Sequence, residues 1–333
     1  MFDPKKMRRP GAGLPALVGM AAGLAATALL VRAQTRRAEA QHPPAGRFIE
    51  VCGVRLHYIE KGLGVPVLLI HGTGVTAEDY VASGIVDRLA ERYRVIAFDR
   101  PGYGYSERPG KGWSARAQAE LLQEACGALG IDRAIVVGHS WGTLVALEMA
   151  LGDPGRVYGL VLVSGYFFPS PRIDSLLIGA PAMPVLGTVM RHTMSPFVAR
   201  LLAPRLIRRM FAPQPVPDVF LDAVPVSIML RPEQLRASAE DAARMVPTAG
   251  VVSRRYGELR DIPVSIMAGN EDGIVAADGQ SSRLARALPH CEFEALDGAG
   301  HMLHYSHAER VARAVDRVSK EALPQTADAV RST

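Results

Sequence analysis

Ala134-Ile135-Val136-Val137-Gly138-His139-Ser140-Trp141-Gly142-Thr143-Leu144-Val145-Ala146-Leu147-Glu148-Met149-Ala150 is the stretch that decides the fold. An apolar run leads into Gly-x-Ser-x-Gly, and a helical pattern follows. The order is strand, sharp turn, helix, with Ser140 at the apex. The flanking glycines leave room for a turn tight enough to lift a hydroxyl clear of a sheet. The helix beyond aims its N-terminal amides at the place where negative charge would develop during attack on a carbonyl. Ser140 is therefore the candidate nucleophile.

On either side, short apolar runs at Val67–Ile70, Val95–Phe98, Leu160–Val163 and Val264–Ala268 read as parallel strands buried on both faces. Helical segments at Glu78–Arg92, Ala115–Leu129 and Thr143–Leu151 fall between the earlier ones. This alternation predicts a mostly parallel α/β sheet with helices on both sides. Arg47–Val51 and Leu56–Glu60 read as an opening hairpin turned by Cys52-Gly53-Val54.

A serine hydroxyl needs a base to take its proton during attack, and imidazole titrates nearest working pH. The strand Val264–Ala268 ends in Gly269-Asn270-Glu271-Asp272-Gly273. The strand Cys291–Leu296 leads into Asp297-Gly298-Ala299-Gly300-His301. Serine, acid and histidine thus occur in the chain order used on such sheets. His301 is the candidate base because it follows the glycine-rich turn that ends a strand; His304 reads as a cleft-lining or surface residue, and His307 as opening the last helix. Asp272 is preferred to Glu271, Asp278 and Asp297 as the acid that orients the imidazole, on its position after the strand.

On these motifs, together with His71-Gly72-Thr73-Gly74 and Asp99-Arg100-Pro101-Gly102-Tyr103-Gly104-Tyr105-Ser106, the chain resembles the α/β-hydrolase superfamily, in its capped serine-hydrolase branch. The resemblance runs from about Arg47 to Ala322. It implies an eight-stranded core in two parts, 47–165 and 260–322, a helical cap over 166–259 and a tail over 323–333. It places the oxyanion-binding backbone amides at Thr73 and Trp141, and it calls for no cofactor. His71 and His139 are expected to support the site, and Asp99 with Arg100 to fix their loop as an ion pair. Gly74 departs from the pattern, standing where many relatives carry proline. A serine at the apex, where dehalogenases and epoxide hydrolases carry aspartate, excludes an alkyl-enzyme ester and leaves acyl transfer. The expected activity is hydrolysis of carboxylic esters, with an apolar small molecule as substrate. Perhydrolase, amidase or C–C hydrolase chemistry on the same triad, or ligand binding without turnover, are the alternatives.

The 333 residues are 48% hydrophobic and 21% charged, enough for one large core with an insert. A formal charge of +5, with arginines spread through helical segments, gives no nucleic-acid footprint. Gly102-Tyr103-Gly104 lacks the Lys-Ser/Thr of a phosphate loop. Cys52, Cys126 and Cys291 are dispersed, with no metal-ligand spacing and no disulfide framework; the last two read as small buried hydrophobes.

Lys5, Lys6, Arg8 and Arg9 precede an uncharged run, Gly11 to Val31, which as a helix would span roughly 31 Å, about a bilayer core. The expectation is a basic flank over 1–10, a transmembrane signal anchor over 11–31 and a polar tether over 32–46. The extra positive charge before the run favours a cytoplasmic N-terminus and an exported catalytic domain. The alternative is secretion after cleavage near Ala38-Glu39-Ala40. Within the cap, Leu176, Leu177, Ile178, Met183, Leu186, Val189, Met190, Met194, Phe197, Leu201 and Leu202 are expected to pack onto the core, the alternatives being an acyl pocket or a membrane contact.

Overall fold

A computed structural model of the chain describes residues 13–323 except 111, 172–179, 184 and 289. Eight strands form one sheet: β1 Arg47–Val51, β2 Val54–Lys61, β3 Val65–Ile70, β4 Tyr93–Phe98, β5 Ala134–His139, β6 Val157–Val163, β7 Val264–Gly269 and β8 Glu292–Leu296. Their order is β1-β2-β4-β3-β5-β6-β7-β8, and only β2 runs against the others.

The central strands explain their own apolar runs, because alternate side chains feed two different cores. Leu68, Ile70, Val136, Leu160, Leu162 and Ile266 enter one core. It is covered by α4 (Ala115–Ala128) and α5 (Gly142–Gly152), through Leu122, Ala125, Leu144 and Leu147. Val67, Leu69, Ile135, Val137, Val161 and Met267 enter the other. There Ile85, Leu89, Val311 and Val315 arrive from α3 (Ile85–Ala90) and the C-terminal helix Ala308–Ala322.

Three elements depart from the expectations. Glu78–Arg92 is not one helix: α2 (Glu78–Ala82) ends at Ser83, and Gly84, with φ of 75°, starts α3 in a new direction. Only glycine takes that dihedral cheaply. The expected tether is helical for most of its length, since α1 runs Gly13–Gln41 without a break. No glycine or proline interrupts Arg32–Gln41, and Val31 and Ala38 are buried against the cap. The N-terminal part of α1 is exposed, and Pro15–Gln41 is long and apolar enough to cross a membrane.

The third departure is in the cap. Its described helices are α6 (Leu186–His192), α7 (Ser195–Phe211), α8 (Asp218–Ala223), α9 (Val226–Met229) and α10 (Pro232–Val252). The buried stripe of α7 is Ala203, Ile207 and Phe211, at i, i+4 and i+8. Phe197, Leu201 and Leu202 lie off that stripe and are exposed, as are Met183, Leu186, Val189 and Met194. These side chains do not pack onto the core as expected; Leu176, Leu177 and Ile178 lie outside the described residues. The cap's own cluster closes on Val75 and Met302, which flank the functional loops.

Candidate active site

β5 ends at His139 and α5 begins at Gly142, so Ser140 sits on a connection of only two residues. Its φ is +53°, a left-handed conformation costing a non-glycine residue roughly 1–3 kcal/mol. The surroundings enforce it. Ser140 N–H donates to Val163 O at 2.9 Å, and Thr143 Oγ1 donates to Ser140 O at 2.6 Å. A Cβ on Gly138 would come 2.8 Å from Gly142 O, and one on Gly142 would strike the carbonyl oxygens of Ile70 and His71.

Two loops meet at the far strands. Asn270 N–H donates to Leu296 O and Glu271 N–H to Ala299 O, each at 3.0 Å, which draws the turn after β7 against the turn after β8. Gly269 leaves no space for a Cβ at this crossing, and one on Gly300 would strike Ala212 O of the cap. The result is an Asp272–His301 pair: Nδ1 of His301 lies 2.7 Å from Oδ2 of Asp272, with both side chains almost wholly buried. The other oxygen, Oδ1, accepts from Ile274 and Val275 N–H, both at 2.8 Å. A carboxylate so held fixes the imidazole with Nε2 free. The rivals are elsewhere: Glu271, Asp278 and Asp297 are exposed, and Asp297 binds Asn270.

The residue before Ser140 ties its turn to this pair. His139 Nε2–H donates to His301 O at 3.1 Å, and the two rings lie 4.9 Å apart. Burial, then the neighbouring His304 and His301, hold the pKa of His139 well below the ordinary imidazole range, so it stays neutral. Among the described residues no hydrogen bond joins Ser140 to His301. Proton transfer requires Oγ to come within about 3 Å of Nε2.

The candidate oxyanion amides lie on segments that adjoin the serine, Trp141 directly after it in the chain and Thr73 directly after Gly72. Gly72 lies against Ser140, with room for a Cβ only 3.0 Å from that of the serine. Gly72 O accepts from His71 Nδ1–H at 2.7 Å and from Arg100 Nη2 at 2.9 Å. Because a trans peptide is planar, holding that oxygen points the N–H of Thr73 the opposite way. Neither Thr73 N–H nor Trp141 N–H donates to a backbone acceptor among the described residues. Gly74 has φ of +87°, which proline's ring cannot reach, so this loop takes a course proline would forbid.

His71 supports the loop as expected. Arg100 N–H donates to its Nε2 at 2.9 Å, leaving the proton on Nδ1 for Gly72 O. Burial and the Arg100 charge lower its pKa to about 4. The expected Asp99–Arg100 ion pair does not form. Asp99 instead binds His57 Nδ1 at 2.7 Å, along with the N–H groups of Ala77 and Tyr105. Arg100 turns away to Asp241 of α10, at 2.7 Å and fully buried. His304 is also reassigned: it is buried, and its Nε2 lies 2.8 Å from Asp79 Oδ2, while Tyr305 OH donates to Oδ1.

Sequence reading passed over His57, Asp79 and Asp241, whose partners are remote in the chain. Asp79, His139 and His304 bring ligand-type atoms within 4.8 Å of one another. Asp79 is already engaged by His304 and Tyr305, and His139 by His301 O. Cys52 is exposed, Cys126 buried, with its thiol pKa pushed up to about 12 by burial, and Cys291 half-buried.

The profile of the Alpha/beta hydrolase family matches residues 67–314. The chain belongs to the α/β hydrolase family. This hydrolase is 32% identical over 298 residues to 2-hydroxymuconate semialdehyde hydrolase of Pseudomonas putida, covering 85% of the one chain and 96% of the other. A shorter stretch of 166 residues is 31% identical to haloalkane dehalogenase 2 of Mycobacterium tuberculosis (strain ATCC 25618 / H37Rv), covering 48% and 56%. Among solved structures, a membrane phospholipase A, described as a bacterial virulence factor, superposes on the hydrolase with a TM-score of 0.63 at 23% identity, covering 94% and 98%. The meta-cleavage product hydrolase of Pseudomonas fluorescens IP01 gives 0.62 at 23%, covering 83% and 98%. At these identities the structural likeness bears on fold alone.

Proposed function

We propose that the protein is a membrane-anchored serine hydrolase that cleaves carboxylic esters of apolar substrates through an acyl-enzyme. The observation that carries this reading is the 2.7 Å Asp272–His301 pair, tied through His139 to the turn that holds a serine at positive φ. Ser140 Oγ attacks the ester carbonyl while His301 Nε2 takes its proton. Asp272 keeps the imidazole in the tautomer that can do so and stabilises the imidazolium. The negative oxygen of the tetrahedral intermediate is received by the N–H groups of Thr73 and Trp141. Its collapse expels the alcohol, protonated by His301, and water then repeats the sequence to release the acid. No cofactor enters any step. Support for apolar substrates and for the anchor comes from the exposed apolar surfaces of α1 and the cap. The flanking basic residues favour a cytoplasmic N-terminus with the catalytic domain exported.

Ser140→Ala, Asp272→Ala and His301→Ala should each lower turnover of an aryl ester by roughly 10⁴–10⁶ with thermal stability retained. Activity surviving in Ser140→Ala would reject the serine mechanism.

A second reading, C–C bond hydrolysis on the same triad, is favoured by the 32% identity to 2-hydroxymuconate semialdehyde hydrolase. The leaving group is then a carbanion, so the substrate must delocalise charge. Kinetics with a ring-cleavage dienone beside p-nitrophenyl esters separates the two: kcat/KM higher on the dienone assigns the carbon–carbon chemistry.

A further inference from the structure

We infer that Asp241, on cap helix α10, is a positioning residue that makes seating of the cap a condition for an intact oxyanion hole. This rests on the serine-hydrolase reading of Ser140, Thr73 and Trp141.

The Asp241 carboxylate is fully buried and accepts four side-chain hydrogen bonds from the core. Oδ2 takes Arg100 Nη1 at 2.7 Å and Tyr103 OH at 2.9 Å; Oδ1 takes Gln118 Nε2 at 3.2 Å and Arg108 Nη2 at 3.3 Å. A buried carboxylate costs several kcal/mol unless its lone pairs are filled this completely. A fastening for the cap alone could have been built anywhere along α10. This one is built onto the two segments that carry the oxyanion amides.

Arg100 has the first of them. Beyond Asp241, its Nε donates to His71 O at 2.8 Å and its Nη2 to Gly72 O at 2.9 Å. Gly72 O and Thr73 N–H belong to one rigid peptide unit, so the guanidinium sets the direction of that N–H. Burial disfavours the Arg100 cation, and Asp241 and Tyr103 outweigh it, raising its pKa. The second segment is joined through the backbone: Trp141 Nε1–H donates to Asp241 O at 3.1 Å. The guanidinium also lies 4.7 Å from the Trp141 ring, so one cation is pressed between the two segments. A cap that lifts withdraws the counter-charge of Arg100 and the acceptor of Trp141 together. Both amides then lose their support in one movement.

The test is Asp241→Asn, which keeps the shape and removes the charge. It is compared with wild type on p-nitrophenyl butyrate, with active sites counted by burst titration. We expect kcat per titrated site to fall at least about tenfold with KM within about threefold, the pattern of lost oxyanion stabilisation. The inhibition constant of butylboronic acid, which forms a tetrahedral adduct with Ser140, should rise by the same factor. A residue that only braced the cap would lower the melting temperature and leave kcat per site and the boronate constant unchanged; that result overturns the inference. The rate constant for fluorophosphonate labelling of Ser140 needs no ester specificity. If wild type cleaves no ester yet Asp241→Asn is labelled more slowly, the ester reading fails and the coupling stands. Equal labelling rates overturn the coupling. Should Asp241→Asn not fold, Tyr103→Phe, which removes one of the four donors, carries the test with a smaller shift in the same direction.

Discussion

The candidates Ser140, Asp272 and His301 could be picked out because each is announced by its own neighbours: glycines at the apex, a strand end before the acid, a glycine turn before the base. Local signals cannot name remote partners. Arg100 follows Asp99 in the chain, yet its counter-ion is Asp241, and Asp99 reaches back to His57 across a strand pairing. His304 read as a cleft-lining or surface residue because nothing nearby in sequence reveals Asp79, which lies in the distant helix α2. His71 gives a prediction at this scale. Its folded pKa of about 4 lies below the ordinary 6.5, so between those values the unfolded chain binds a proton that the native protein refuses. Stability is therefore lost as pH falls from about 6.5 to 4, by on the order of 3 kcal/mol from this residue. His139 shifts the same way, adding to the loss. In His71→Gln, thermal midpoints should depend less steeply on pH across that window. Identical slopes in variant and wild type would show that His71 is not the group responsible.

Elements were read correctly wherever one periodicity persisted to the end of the segment. All of β3 to β7 were found because a parallel strand buried on both faces is a simple apolar run, and each was found one to three residues short. The failure at Glu78–Arg92 came from a single backbone angle, since Gly84 interrupts a pattern that is otherwise helical. Two glycines separate tolerance from necessity. At Gly84 a Cβ would meet nothing, so Gly84→Ala should cost only the left-handed strain, about 1–2 kcal/mol. At Gly142 a Cβ would strike two carbonyl oxygens of the β3 end, which cannot retreat without opening the sheet. Gly142→Ala should yield little folded protein and no hydrolytic activity, whereas Gly84→Ala should keep activity with a modestly lower urea midpoint.

For the molecule as a whole, α1 and the cap depend on how surfaces are distributed in space. The polar stretch after Val31, read as a tether, is largely helical, and its polar residues form the wet face of a helix whose other side is docked. Glu39 lies 2.9 Å from Arg231, and Tyr105 OH donates to His42 O, so the end of α1 is fastened beside the loop that carries Tyr103. Removing residues 1–31 leaves this fastening in place. The truncated protein should move from the detergent-rich to the aqueous phase on Triton X-114 partition. It should retain activity on short-chain esters and lose it on long-chain ones; equal retention on both would separate the anchor from substrate supply. The same fastening has a kinetic consequence. On the proposed anchoring of α1 in a bilayer, with its end pinned at Arg231, the domain would have no slack to leave the surface and would meet lipid-dissolved ester by lateral diffusion. Turnover on such esters should then follow their mole fraction in the lipid and be insensitive to how much bulk solution surrounds the vesicles.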